Sequence, residues 1–386
     1  MNKKKIVIIT TRFFPDIGGI EKSMYYFAKG FVENGFIVQV ICTGNKDEKI
    51  TVDDIHIVRR KALFKFSGND INPFIFKDML DYCKDADIII LNEPNPFSNS
   101  IFLLINFFLK KKYFVYYHSD IIRFGIFKIL KLSYQYTFQR ILLENAEKII
   151  TTTQRYQEIS DTLNCQKYKK KFAVIPCTVD LAEMEKNKIN ENEKTKFKKE
   201  LNLENRKIIL FVGRFIYYKG LEYLIRAFRL VKEKAEDTFL ILVGKGPLEK
   251  IIFEEANINN LQEDKDFIIL RDVDDKQLSK IYQISDLFVL PSIYRSEAFG
   301  IVLLEAMAYQ VPIVTTSISG TKEVAEEVGL IVEPKNHEKL AEAILLLLND
   351  DKLKEKFRIN ANKKIKNFDR KKVIEEFITL IRDELK

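Results

Sequence analysis

At 386 residues the chain exceeds the length at which one hydrophobic core stops growing, so two domains are expected. A hydrophobic share of 46% against 31% charged residues is that of an ordinary globular protein and excludes a disordered or fibrous chain. The net charge is +8, and all of the excess lies in the first 180 residues, so that half is expected to face something anionic. Nucleic acid is set aside because no zinc spacing, helix-turn-helix or RNA-binding aromatic motif occurs; anionic lipid is the other candidate. Cys42, Cys83, Cys165 and Cys177 have no C-x-x-C spacing and sit in or beside apolar runs, as buried thiols in a reducing compartment do. MNKKKIVIITT runs from three lysines straight into a strand pattern, so no signal peptide is expected. IFLLINFFL at 101–109 is half of what a bilayer requires, so the expected location is cytoplasmic, with at most peripheral contact at the inner membrane.

In chain order, short apolar runs bounded by turns fall at 5–10, 36–43, 55–60, 87–92, 113–118, 148–153 and 172–177, with helix-like stretches such as Lys22–Glu33 and Phe124–Glu144 between them. Continuous rather than alternating hydrophobicity predicts strands buried on both faces, hence a parallel sheet under helices. A polar, Lys/Glu/Asn-rich segment, Glu183–Asn205, reads as a linker and helix start. The theme then repeats at 207–214, 238–244, 267–272, 287–292, 312–317 and 330–334. Two doubly wound α/β domains facing each other across a cleft are expected, with ligands beyond the carboxyl ends of the strands.

The strand ends carry the chemistry. Gly18-Gly19 follows the first strand and opens a helix, where backbone amides can approach an anion or sugar, but no G-x-G-x-x-G follows. FVGRFIYYKG places Arg214 after Gly213 and Lys219 before Gly220, a guanidinium fork and a mobile ammonium suited to phosphate oxygens. LILVGKGPLE brings Gly244 and Gly246 to another strand end. In SEAFGIVLLEAMAY the pattern from Ile301 is apolar on nearly every side, so a buried helix begins near Gly300. The free amides of Gly300, Ile301 and Val302 form an anion site. Glu297 precedes it, and Glu305, more than one turn inside, has the vicinal hydroxyls of a ribose as natural partners. Sugar, phosphate and ribose in that order fit a nucleotide sugar.

These residues resemble the retaining GT-B glycosyltransferases of family 4 across essentially the whole chain: Glu297 and Glu305 form E-x7-E with Phe299-Gly300-Ile301 inside it, and Arg214 and Lys219 are the paired cations. PNP at 94–96 and HSD at 118–120 look like the branch that builds O-antigen, capsule and related surface polysaccharides. Cys177-Thr178 departs from the pattern, since many relatives have a small residue and Gly there. The resemblance implies that Arg214, Lys219 and the amides of 300–302 hold the donor diphosphate, that Glu305 takes the ribose, and that Glu297 takes hydroxyls of the transferred sugar. His118 is placed near the anomeric centre as a neutral hydrogen-bond donor, Gly18 and Gly19 along the donor diphosphate and the acceptor side, Asp120 toward the acceptor side, Gly213, Gly244 and Phe299 with the donor, and Asp272 and Val273 at the base-binding edge. A first domain of 1–180 with a returning C-terminal helix at about 370–386, and a donor domain of 181–369, follow from the same fold.

Asp274-Asp275 is no D-x-D, so metal-independent transfer without a cofactor is expected, the two cations and the helix start stabilising the leaving diphosphate. The expected activity moves a hexose from GDP-mannose or a UDP-hexose onto a glycan, lipid-linked or, alternatively, a soluble acceptor such as a sugar phosphate. A non-catalytic nucleotide-sugar-binding scaffold is the remaining alternative. Residues 121–142 mix Arg123, Lys128, Lys131 and Arg140 with Phe124, Phe127, Leu130 and Tyr134 at helical spacing, as in helices that lie on anionic bilayers.

Overall fold

The computed structural model describes residues 3–16, 18–66, 69–121 and 127–386. The chain divides into two compact units, Met1–Thr178 with Arg370–Lys386, and Val179–Asp369; the sequence-based boundaries lie at 180 and 369.

The first unit begins with β1 (Lys5–Ile9), β2 (Ile37–Gly44), β3 (Glu48–Val52) and β4 (Ile55–Lys61). A small antiparallel hairpin follows, β5 (Phe64–Phe66) and β6 (Asn69–Ile71), then β7 (Ile88–Glu93), β8 (Tyr113–Tyr117), β9 (Lys148–Thr151) and β10 (Phe172–Val174). Apart from the hairpin these form one sheet in the order β10-β9-β8-β7-β1-β2-β4-β3. It is parallel except at its edge, where β3 runs antiparallel to β4. The seven predicted runs are all strands of this sheet. Strand β3 was not expected: EKITV is an edge strand with an exposed, charged side, and it lacks the apolar continuity that marks the others.

Connections from β1 to β2 and from β7 to β8 lead away from each other, so right-handed crossovers put their helices on opposite faces. Helix Gly19–Glu33 shares its face with helix Arg370–Glu384. Gly30 leaves room there for Ile374, and Phe377 stacks edge-on with Phe27 and Phe31. Val373, Ile374, Phe377, Ile378 and Ile381 are thereby part of the same core as Ile6, Ile8, Phe27 and Val40. The other face carries helices Ile75–Cys83 and Pro96–Leu109 and a helical segment, Phe127–Tyr134 and Arg140–Asn145, broken by a π-helical turn at Gln135–Gln139. Arg123 and Phe124 lie outside the described residues, as do the side chains of Phe127, Lys128, Leu130 and Lys131.

The second unit holds β11 (Lys207–Val212), β12 (Thr238–Val243), β13 (Phe267–Leu270), β14 (Leu287–Leu290), β15 (Ile313–Thr316) and β16 (Gly329–Val332). They form a fully parallel sheet in the order β13-β12-β11-β14-β15-β16. The segment expected to be a linker and helix start is helical over most of its length and packed rather than a free linker. Helices Leu181–Lys186 and Glu191–Glu200 occupy it, the second closed by a capping box of Asn190 and Glu193 and anchored by buried Phe197. Gln283 Nε2 donates to the Asn187 carbonyl and its Oε1 accepts from the Ile189 amide, tying the segment to the sheet's helix layer.

The cysteines are all free thiols. Burial raises the pKa of Cys42, Cys83 and Cys177 to about 12, so these three stay protonated.

Candidate functional site

Each sheet has one place where neighbouring strands send their connections in opposite directions, and ligands of doubly wound sheets lie there. In the second unit it falls between β11 and β14, in the first between β1 and β7.

At the second unit's switch point, β11 runs into Gly213 and Arg214, and a 3-10 turn, Tyr217–Lys219, leads into helix Leu221–Lys234. The Ile293 amide donates to the Tyr218 carbonyl at 2.8 Å, which joins this turn to the loop after β14. Lys219 is 8% exposed, and its Nζ lies 2.5 Å from Oε2 of Glu297, itself 7% exposed. The Ser292 hydroxyl donates to the same oxygen at 2.9 Å. Oε1 of Glu297 takes no hydrogen bond among the described residues and is left to accept from a ligand. Arg214 is exposed and its guanidinium pairs with no described residue. One cation is thus committed to the neighbouring acid, the other is free.

The helix carrying Glu305 runs from Ile301 to Ala308. Gly300 caps it in the left-handed region, at φ 77° and ψ 66°, a conformation glycine adopts without strain. The amides of Gly300, Ile301 and Val302 have no acceptor among the described residues, as helix geometry requires of a first turn without a side-chain cap. Ile301 and Val302 are half-buried, and Phe299 is buried edge-on against Phe368, with ring centroids 5.8 Å apart. Glu305 is half-buried, and Tyr282 donates its hydroxyl to Oε2 at 3.0 Å. Burial, then the Glu305 charge, holds the Tyr282 phenol far above its ordinary pKa, so it remains a donor. Tyr282 and Ser292 were not singled out from the sequence. Nothing in local spacing links Tyr282 to Glu305, and Ser292, four residues before the quoted motif, looks like loop.

Gly244 follows β12 with its Cα against the Gly213 carbonyl, where a Cβ would come within 2.0 Å. Val273 is half-buried after β13, beside Asp272, which pairs with Lys245. Asp274 accepts from the Gln277 amide at 2.7 Å, as a helix cap.

In the first unit Gly18 caps helix Gly19–Glu33, and both glycines reach solvent. Their loop is fixed from below by buried Arg59, which donates to the carbonyls of Phe13 and Phe14 and pairs with Glu48. His118 ends β8, is 5% exposed, and lies against the Tyr116 ring at 4.6 Å. Burial lowers its pKa to about 3, so the ring is neutral. Nε2 lies 3.1 Å from Oδ1 of Asn92 at the end of β7. A carboxamide oxygen only accepts, so in this orientation of the Asn92 amide the ring proton sits on Nε2. With Nε2 held by Asn92, Nδ1 is the ring nitrogen left for a ligand. Asp120 is 3% exposed and fully engaged: Tyr117 and Ser160 donate their hydroxyls to Oδ1 at 2.8 and 2.5 Å, and the Asp161 amide reaches Oδ2 at 3.3 Å. It braces the strand end. Arg214, Lys219, Glu297 and the helix start are brought together in one unit; Gly18, Gly19, His118 and Asp120 belong to the other.

Comparison with known proteins follows the same division. The family model for glycosyl transferases group 1 matches residues 192–364, and that for Glycosyltransferase Family 4 matches residues 17–183. Among relatives, the O-antigen chain mannosyltransferase C of Escherichia coli is 28% identical over 97% of each chain. The D-rhamnosyltransferase WbpZ of Pseudomonas aeruginosa is 29% identical over 82% of this chain and 79% of its own. In structure, HepE of Anabaena in complex with UDP and glucose superposes with a TM-score of 0.79 at 17% identity, over 98% of this chain and all of that one. With one family model on each of its α/β units, the chain belongs to glycosyltransferase family 4 and has the GT-B fold.

Proposed function

We propose that the protein is a retaining, metal-independent hexosyltransferase that takes a sugar from a nucleoside-diphosphate donor and adds it to a lipid-linked glycan during synthesis of a cell-surface polysaccharide. The observation that carries the reading is the convergence of Arg214, the Lys219–Glu297 pair and the uncapped amides of Gly300, Ile301 and Val302 at one sheet switch point. A diphosphate needs cations and amide donors as its bond to the anomeric carbon breaks, and this set supplies both without a metal. The free oxygen of Glu297 suits a hydroxyl of the transferred sugar, and Glu305, oriented by Tyr282, suits the ribose. Gly213, Gly244 and Val273 line the donor at neighbouring strand ends. Relatives named for O-antigen mannosyl transfer and D-rhamnosyl transfer support a hexose or deoxyhexose as the transferred sugar, and a structural neighbour holding UDP and glucose supports a nucleotide-sugar donor; GDP-mannose and a UDP-hexose are the candidates to test.

Retention fits departure and attack on one face of the sugar. The anomeric carbon–oxygen bond breaks with its electron pair on the phosphate, the acceptor oxygen bonds to the same face, and its proton passes to the leaving phosphate oxygen. Glu297 is ion-paired with Lys219 through Oε2, which suits it to hold a hydroxyl of the sugar rather than to attack the anomeric carbon.

The test is a panel of nucleotide sugars scored for thermal stabilisation and slow donor hydrolysis, with and without EDTA. One donor class should raise the melting temperature and be hydrolysed, unchanged by EDTA. No response to any nucleotide sugar would overturn the reading.

Contact with an anionic membrane rests on the first unit. The exposed large apolar side chains lie mostly there; among the described residues the second unit adds Tyr217, Ile258, Leu346 and Ile359. Helix Pro96–Leu109 carries no charge, exposes Leu104, Phe107 and Phe108 at 58%, 76% and 81%, and is followed by Lys110, Lys111 and Lys112. Tyr136 and Phe138 extend the patch from the neighbouring segment. An apolar face beside cations fits the interface of an anionic bilayer. Sedimentation with anionic vesicles should show binding at low salt that weakens at high salt and falls in Phe107→Ser/Phe108→Ser; absence of binding at either salt would remove this part.

A further inference from the structure

We infer that Asn92 is a positioning residue for His118, fixing the imidazole as the Nε2–H tautomer so that Nδ1 meets a hydroxyl of the substrate as an acceptor. The inference deepens the proposed transferase reading and rests on it for the part that concerns turnover.

Three observations converge on the pair. Asn92 and His118 stand at the ends of adjacent parallel strands, and the His118 amide donates to the Glu93 carbonyl at 2.8 Å, which extends the ladder of β7 and β8 by one bond and holds the histidine backbone in register. The side chains, 4% and 5% exposed, then meet at 3.1 Å between Oδ1 and Nε2. Finally, Nδ2 of Asn92 is buried with no acceptor. An unsatisfied buried donor costs about 1–3 kcal/mol. A leucine would avoid that cost, so the carboxamide is accounted for by what its oxygen does, and that oxygen serves His118. The choice of amide over acid matters as well. An aspartate in its place would set a charge against the ring and draw a second proton onto it, whereas a neutral oxygen holds the proton already there and adds none.

The other titratable groups around the pair leave this arrangement intact. Glu93 adjoins Asn92 on β7, but its buried carboxylate is turned to Asn99 Nδ2, Gln139 Nε2, the Tyr134 hydroxyl and the Asn95 amide. Tyr116 lies against the ring and gives its hydroxyl to the Ile175 carbonyl, and Cys177, next to Tyr116, is a protonated thiol. Burial is what keeps His118 neutral.

The chain has three histidines, His56, His118 and His337, so its imidazoles can be followed one by one. Long-range proton–nitrogen correlation on the full-length protein with labelled histidine, assigned by His118→Gln, should find His118 as the Nε2–H tautomer and untitrated from pH 5 to 9. In Asn92→Asp the ring should titrate within that range, and kcat should fall on the acid side of the same midpoint with little change in donor KM. Asn92→Leu, which removes the oriented acceptor without adding charge, should lower kcat by about tenfold or more, which is what losing one oriented hydrogen bond of about 1.4 kcal/mol gives. An Nδ1–H tautomer in the parent protein, or an Asn92→Asp ring that never titrates, would overturn the inference independently of any assay of transfer. The expected spectra with full turnover in His118→Gln would overturn the role in catalysis while leaving the donor site untouched.

Discussion

Lys219 and Glu297, 78 positions apart in sequence, form an ion pair of 2.5 Å in which both side chains are nine-tenths buried. The pair stitches the turn after β11 to the loop after β14. Removing one partner leaves a buried charge with Ser292 alone. Lys219→Ala should therefore lose about 3–5 kcal/mol in urea denaturation, and Lys219→Met/Glu297→Gln together distinctly less. Equal losses in the single and double variants would mean the pair does not hold the loop.

Arg214 should behave oppositely. Its guanidinium has no partner among the described residues, so Arg214→Ala is expected to leave the melting temperature within a degree or two while lowering turnover about a hundredfold or more, as loss of a transition-state donor does. Steady-state kinetics near those of the parent would remove Arg214 from the site.

Stability should rise with pH across the range where His118 is neutral in the folded state and still charged when unfolded. Its folded pKa is about 3 against an ordinary 6.5, so between those values the unfolded chain binds the extra proton. Denaturation midpoints from pH 4 to 7 should increase, and the slope should flatten in His118→Gln.

Chelation should leave transfer intact. Asp274 is occupied as a helix cap, and the positive charge beside the helix start belongs to Lys219 and Arg214. Turnover in excess EDTA equal to that without it is the expected result; activity restored only by a divalent ion would require a different account of leaving-group stabilisation.

Gly320 went unnoticed in the sequence, yet a Cβ there would lie 1.8 Å from the Ala298 carbonyl oxygen. Gly320→Ala should push the loop that carries Glu297 and Phe299, lowering both the melting temperature and donor binding, the latter measured by calorimetry.

What could be read from the sequence was what is continuous along the chain. Ile208–Val212 and Phe239–Val243 are apolar without interruption because both faces of their sheet are covered, and Glu297 with Glu305 announces itself by a carboxylate inside an apolar helix. What was hidden depends on partners far away. Glu191–Glu200 buries only Phe197, so its composition looks like a linker while Gln283 and Ser279 hold the preceding turn in place. Asn92 stands 26 residues before His118, Tyr282 stands 23 before Glu305, and only the register of parallel strands and the packing of helices bring them together.

The return of helix Arg370–Glu384 to the first unit has a consequence for biogenesis. Phe27 and Phe31 gain their cover from Phe377, which is translated some 350 residues later. A ribosome-bound chain that has already finished all eight strands of the first sheet still shows one greasy flank, and the second unit can close before that flank does. The domain begun first is then the last to be sealed, and nascent chains stalled short of residue 370 should be the ones that chaperones hold.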